Sequence, residues 1–264
     1  MNYDPEQYWE QRYAQLNLHN SGHRDLPEAY NLWLYRRKQA VFRRGMGRVG
    51  LPLRGAKVLE LGSGTGAYLD FWRREGVGSL TGLDLSASAV EFVSAGYPEF
   101  RFLHRDVTAP GLAADCGTGF DLVTALDVLY HVVDDSLFAA ALENIHAVLR
   151  PGGVFAVHDL FLHHATEHHE YIRWRSLADW EQALGRAGFV IAGRLPIFFL
   201  MIQPNDARTP RAAALMDRLW AWTNRFVHKA PGLMAPVLYA ADTALAAVLR
   251  EGPSMELLLA RRRD

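Results

Sequence analysis

With 264 residues, half of them hydrophobic, the chain is long enough to bury a substantial core, and one domain with embellishments is the expected organisation. Its formal net charge of −1, with acids and bases dispersed, offers no global field for nucleic acid or an anionic membrane and favours a small or neutral substrate. Cys116 is the single cysteine, which excludes an intramolecular disulfide and a cysteine metal cluster, and the chain reads as cytoplasmic.

The N-terminus, M-N-Y-D-P-E-Q-Y-W-E, is polar and amphipathic, unlike a signal peptide. Asp4-Pro5-Glu6-Gln7 has a capping acid, a proline suited to the first helical position and a Gln at the capping-box position, which predicts a helix from Pro5 to about Leu16. A second helix carries Tyr30, Trp33, Leu34, Val41 and Phe42 at helical spacing. The aromatic residues Tyr8, Trp9 and Tyr13 either pack these helices onto the domain or belong to a lid.

From Leu53 onward strands and helices alternate, the signature of an open parallel sheet covered on both faces. Strands are expected at Lys57 to Leu61, Leu80 to Leu85, Phe100 to His104, Phe120 to Leu126, Val154 to His158 and Phe189 to Leu195. The intervening helices run from Ala67 to Arg74, from Ser86 towards Gly96, from Asp135 to Leu149 and from Ser176 to Ala187. R-P-G-G at Arg150 to Gly153 stops the third of these. A late helical insertion, patterned through Leu215, Leu219, Trp222 and Phe226 and then Val237, Tyr239, Leu245 and Val248, precedes a final strand from Glu256 to Ala260. Its second helix, Leu233 to Leu249, is short of the ~20 apolar residues of a membrane span and contains Asp242 and Pro236, so stable membrane insertion is not expected.

Val58 to Gly66, V-L-E-L-G-S-G-T-G, turns a short buried strand directly into a helix through Gly62, Gly64 and Gly66. Glycines let backbone approach a ligand, and a helix start offers unpaired N–H groups and positive dipole, so the bend is an anion pocket. Gly62, Gly64 and Ala67 also fit a dinucleotide fingerprint, with Asp84 about 20 residues further on. Glu60, two residues before the first glycine, and the uninterrupted G-x-G-x-G spacing instead make the stretch resemble the first motif of class I S-adenosylmethionine-dependent methyltransferases. The order of glycine loop, acid after strand two, acid after strand three and L-R-P-G-G before strand five extends this resemblance over Val58 to Val157.

The resemblance implies S-adenosyl-L-methionine as cofactor. Asp84 would accept both ribose hydroxyls, Asp106 the adenine amine with Val107 beside the ring, and Leu85 would pack on the adenine face. Glu60 with Gly62, Ser63, Gly64 and Gly66 would hold the methionine end, and Leu126 would lie below the sulfonium. In many relatives a helical segment before the domain closes over the cofactor, and Tyr13, Tyr35 and Arg36 are the candidates for touching it.

Methyl transfer asks chiefly for alignment, and a base only where the acceptor loses a proton. Tyr130 and His131, in D-V-L-Y-H-V-V-D-D after strand four, head the candidates. The region resembles the L-H-D-W-x-D context of plant phenolic O-methyltransferases with Tyr130 at the histidine position, so a role lining the cleft stands beside a catalytic one. His158, His163 and His164 are candidate acceptor-binding groups, with His158 also a catalytic candidate. His164 and His168 would share a metal only if their segment were helical, with Glu167 or Glu170 nearby; a polar lid is the preferred reading and no metal is expected.

The expectation is an α/β enzyme with a doubly wound, seven-stranded, mostly parallel sheet. A helical cap would span residues 1–52, the cofactor-binding core 53–200, the insertion 201–252 and the last strand 253–264. The expected reaction is methylation of a small-molecule acceptor, first at oxygen. Carbon or nitrogen methylation, a non-methylating reaction on the same scaffold and a nicotinamide-dependent oxidoreductase are the alternatives. No nucleic-acid partner is expected, and the late helices offer a surface for a homodimer.

Overall fold

The computed structural model describes residues 4–13, 23, 25–169, 171–206 and 209–263. Helix α1 (Pro5–Arg12) starts where Asp4 accepts from the Gln7 amide at 3.1 Å, with Pro5 in the first turn. Residues 14–16, over which this helix was expected to continue, lie outside the described residues. Helix α2 (Glu28–Arg48) follows and buries Tyr30, Leu34, Tyr35, Val41, Phe42 and Met46 along one stripe. Its Gly45 is a point of close approach, because a Cβ there would stand 2.7 Å from Leu257.

Strands and helices then alternate through β1 (Lys57–Leu61), α3 (Leu69–Glu75), β2 (Ser79–Asp84), α4 (Ala87–Gly96), β3 (Arg101–His104), α5 (Leu112–Cys116) and β4 (Phe120–Leu126). A 3-10 turn (Leu129–His131) leads to α6 (Asp135–Val148), β5 (Leu149–Asp159), a hairpin of β6 (Glu167–His168) and β7 (Arg173–Trp174), then α7 (Leu177–Arg186) and β8 (Phe189–Pro196). Helices α8 (Pro210–Lys229) and α9 (Pro231–Val248) intervene before β9 (Glu256–Arg262). The sheet has the order β3-β2-β1-β4-β5-β9-β8, with β9 antiparallel to both neighbours and the other strand pairs parallel.

Both faces are buried, which is why the central strands read as near-continuous apolar runs. Val58, Leu122, Val154, Leu257 and Leu259 pack towards α2 and α3 with Phe42 and Trp72, whereas Leu59, Leu61, Val123, Phe155 and Val157 face Phe138 and Trp180. Strand order reverses between β2-β1 and β1-β4, and ligands of such sheets bind in the crevice at the carboxyl ends there.

One strand differs from expectation, and the segment that follows it decides a conditional reading. β5 begins at Leu149, because Leu149 pairs with Phe120 and the register shifts before Leu122 pairs with Val154. R-P-G-G therefore ends the helix while continuing the sheet. The segment after β5 is bends and a hairpin rather than a helix, so His164 and His168 do not share a helical face. Glu170 lies outside the described residues. Among the described residues no three His, Cys, Asp or Glu side chains gather as a metal site.

Candidate active site

The glycine loop is anchored to the end of β2, with Gly62 N and Ser63 N both donating to the Leu83 carbonyl, at 2.7 and 3.0 Å. Asp84, the last residue of β2, accepts from Gly64 N at 2.7 Å and from Ser86 N at 2.9 Å, so one carboxylate ties the loop to the start of α4. Burial raises its pKa against its backbone donors, yet a carboxylate offers about four acceptor directions, so acceptor capacity remains for a ligand. Gly62 has φ +71°, and a Cβ there would come within 2.5 Å of Val128 Cγ2. Gly62→Ala is therefore expected to destabilise the protein by about 2 kcal/mol or more, from left-handed backbone strain and the clash, measurable as a shift in urea midpoint.

The loop opens onto a cavity of about 690 Å³. Gly62, Ser63 and Gly64 form one wall, and Asp84, Leu85, Asp106 and Val107 a second. Leu126, Asp127, Tyr130 and His131 supply a third, while Trp9, Arg12 and Tyr13 of the N-terminal segment and Tyr35 and Lys38 of α2 close over it. Asp106 holds its own loop by accepting from Thr108 N at 2.7 Å.

Six sequence-predicted residues lie elsewhere; two of them, His163 and His164, sit off the cavity beside Asp206, so a direct contact of either with the acceptor is not supported. Glu60 sits beneath the loop, 3% exposed, and accepts from the Trp72 indole at 2.8 Å. It is not among the cavity's lining residues. Gly66 also lies off the cavity, where its added Cβ would meet Leu69 and Val93. Arg36 points outward, exposed, with its guanidinium 4.7 Å from the centre of the Trp33 ring. His158 is fully buried inside β5, paired in register with Leu126 and Leu257, and does not reach the cavity. A catalytic role for His158 and cofactor contacts from Arg36 are thereby withdrawn.

Glu60 has a measurable consequence. Burial pushes its carboxyl up to about 7. Its unfolded value is 4.5, so the folded state holds the proton more tightly. The associated stability is fully present below 4.5 and is lost as pH rises through about 7. The total loss is roughly 3 kcal/mol. Compared with Glu60→Gln in denaturant titrations, the wild type is expected to lose this amount of additional stability between acid and mildly alkaline pH.

The third wall contains what sequence reasoning passed over. Asp127 immediately follows β4, has φ +68° without being glycine, pairs with Lys38, and leaves its Oδ1 buried without a hydrogen-bond partner. Tyr35 and Tyr68 flank it across the cavity, and their edge-on rings are 5.7 Å apart. Its signal was a lone Asp directly after a strand at the switch point.

His131 Nδ1 lies 2.9 Å from the Tyr171 carbonyl. A carbonyl only accepts, so Nδ1 carries the proton and Nε2 keeps its lone pair. Trp9 stands edge-on to the imidazole at 4.8 Å and Tyr171 lies parallel to it at 6.1 Å. Burial among these rings lowers its pKa to about 4. Burial also raises the Tyr130 hydroxyl well above its ordinary value, so it is a hydrogen-bond donor at neutral pH and not a base.

The donor set fits an adenosyl sulfonium. Asp84 retains acceptor capacity at the cavity wall, the Gly62 cradle leaves no room for a Cβ, and Asp127 Oδ1 is an unpaired buried acceptor that a cation would satisfy.

A family model described as a methyltransferase domain matches residues 32–192. An ubiquinone biosynthesis O-methyltransferase of Paracidovorax citrulli is 32% identical over 107 residues, covering 39% of this chain and 42% of that one. The chain thus matches less than half the length of this relative. Magnesium protoporphyrin IX methyltransferase of Synechocystis, solved with bound S-adenosylmethionine, aligns with a TM-score of 0.56 at 14% identity over 98% of each chain. The cyclase SpnF aligns with a TM-score of 0.54 at 18% identity, over 85% of this chain and 80% of that one. These two likenesses are of fold. With its strand order, its glycine loop and a family match across more than half its length, the chain belongs to the methyltransferase-domain family of class I S-adenosylmethionine-dependent methyltransferases.

Proposed function

We propose that the chain methylates an oxygen of a small, ring-bearing acceptor, and that the acceptor hydroxyl is acidic, as in a phenol. The observation carrying this reading is the neutral His131, whose bare Nε2 is fixed by the Nδ1–H bond to Tyr171 in a wall of aromatic side chains. When bound, S-adenosylmethionine supplies a methyl group already activated by positive sulfur. Asp84 binds the two ribose hydroxyls, Asp106 accepts from the adenine amine, and Leu85 and Val107 pack against the ring. Leu126 and the unpaired Asp127 oxygen face the charged end, with Gly62, Ser63 and Gly64 of the loop beside it. Trp9, Tyr13 and Tyr35 exclude water.

His131 then accepts the acceptor's proton at Nε2, and the nearby Asp127 charge favours the imidazolium as it forms. A base this weak suits a hydroxyl that gives up its proton readily. The partial likeness to an ubiquinone biosynthesis O-methyltransferase supports oxygen as the methylated atom. Incubation with methyl-labelled S-adenosylmethionine and matched phenols, aliphatic alcohols and amines tests the reading. Label is expected on phenolic oxygen; transfer only to nitrogen or carbon, or cofactor binding with no methyl transfer, overturns it.

A further inference from the structure

Helix α8 has two features that the cavity does not use. Leu215, Leu219, Trp222 and Phe226 recur every three or four residues and form one solvent-facing stripe, with Leu215 69% and Trp222 57% exposed. The flank about 100° round the helix is the one that docks, through buried Thr223 and Val227. Beside the apolar stripe run Arg211, Arg218, Arg225 and Lys229, all exposed, against a single acid, Asp217. Among the described residues none of the four cations has a carboxylate within 4.0 Å, although most arginines elsewhere in the fold do or are bonded to a carbonyl. Helix α9, which follows α8 directly, also exposes Leu233, Val237 and Val248, and its only charged residue is the buried Asp242.

We infer that the α8–α9 pair is a peripheral docking surface for an anionic lipid bilayer, into whose interface the Leu215–Phe226 stripe lies while the arginine row meets the headgroups. A helix with Trp, Phe and Leu on one side and bases beside them has the composition of an interfacial helix. The chain's net charge of −1 conceals this local asymmetry. A second copy of the chain is the poorer occupant. A two-fold contact sets the same face against itself, which would bring one unpaired cationic row against another.

Spanning is not what the geometry supports. Helix α9 is long and apolar enough to cross a membrane. However, its Asp242 carboxylate accepts from Phe199 N at 3.0 Å and Leu200 N at 2.8 Å, and Arg37 of α2 bonds the Asp242 carbonyl at 3.1 Å. The helix is tied to the globular core and offers the bilayer only its outer side.

The test is co-sedimentation of the full chain with phosphatidylcholine vesicles, with and without phosphatidylglycerol. Binding is expected to the anionic vesicles and to weaken with salt. Arg211→Gln, Arg218→Gln and Arg225→Gln together are expected to lower vesicle affinity on the order of a hundredfold. Trp222→Glu should abolish sedimentation while circular dichroism stays unchanged. Methylation of a soluble acceptor by these variants should match the wild type, since none of the four residues lines the cavity. Absence of binding to anionic vesicles by the folded protein overturns the proposal. So does a dimer in sedimentation velocity that Trp222→Glu dissociates while no vesicle binding is seen.

Discussion

Asp84→Ala is expected to lower the affinity for S-adenosylhomocysteine by about a hundredfold or more, because it removes two charge-assisted hydrogen bonds to the ribose at ~1.5–3 kcal/mol each. It also frees Gly64 N and Ser86 N, the two amides through which the carboxylate holds the loop against α4. Asp84→Asn keeps one acceptor oxygen, so about tenfold is expected. Titration calorimetry on both variants separates the contributions. The alanine variant should also unfold at a lower denaturant concentration than Asp84→Asn, since its Gly64 and Ser86 amides lose their buried acceptor. Retention of near-native affinity by the alanine variant would remove Asp84 from the cofactor site.

His131→Ala is expected to reduce kcat by about 10²–10⁴-fold on a phenolic acceptor, the usual contribution of a positioned base, with cofactor affinity unchanged. The pH profile discriminates this from a packing defect. With its pKa lowered to about 4, the imidazole is neutral throughout the physiological range, so wild-type turnover should fall only as the pH approaches that value. His131→Gln preserves volume and a donor but offers no basic nitrogen, and should be as impaired as the alanine variant. If Gln restores activity, the ring serves only to line the cleft beside Trp9 and Tyr171.

Much of this was legible in the chain. Short apolar runs between glycine-terminated helices placed the core strands to within a few residues, except that β5 starts at Leu149 and not at Val154, and Asp84, Leu85, Asp106, Val107 and Leu126 all line one cavity because each ends or follows a strand at the same sheet edge. The failures have equally local causes. Glu60 shares a face with Thr124 and Ala156 through the sheet register, so alternation turns it under the glycine loop. His158 still lies within β5, which runs to Asp159, and neighbours on both sides bury it. On α2, Leu34, Tyr35 and Lys38 line the cavity, whereas Arg36 is turned about 100° from Tyr35 and follows Trp33 outward. Other features depend on tertiary contact. Lys38 and Asp127 are 89 residues apart in the chain, and nothing in either segment announces the other.

The segment from Ile197 to Ile202 has an unobvious consequence for protein engineering. It takes hydrogen bonds from Tyr30 and Arg37 of α2, lends its amides to Asp242, and places Phe198 and Ile202 against the cavity. Trimming the greasy helical pair to improve handling would therefore strip two main-chain donors of their acceptor at the floor of the reaction chamber. Recoding the outer surface of those helices, while keeping Asp242, is the safer path to a better-behaved enzyme.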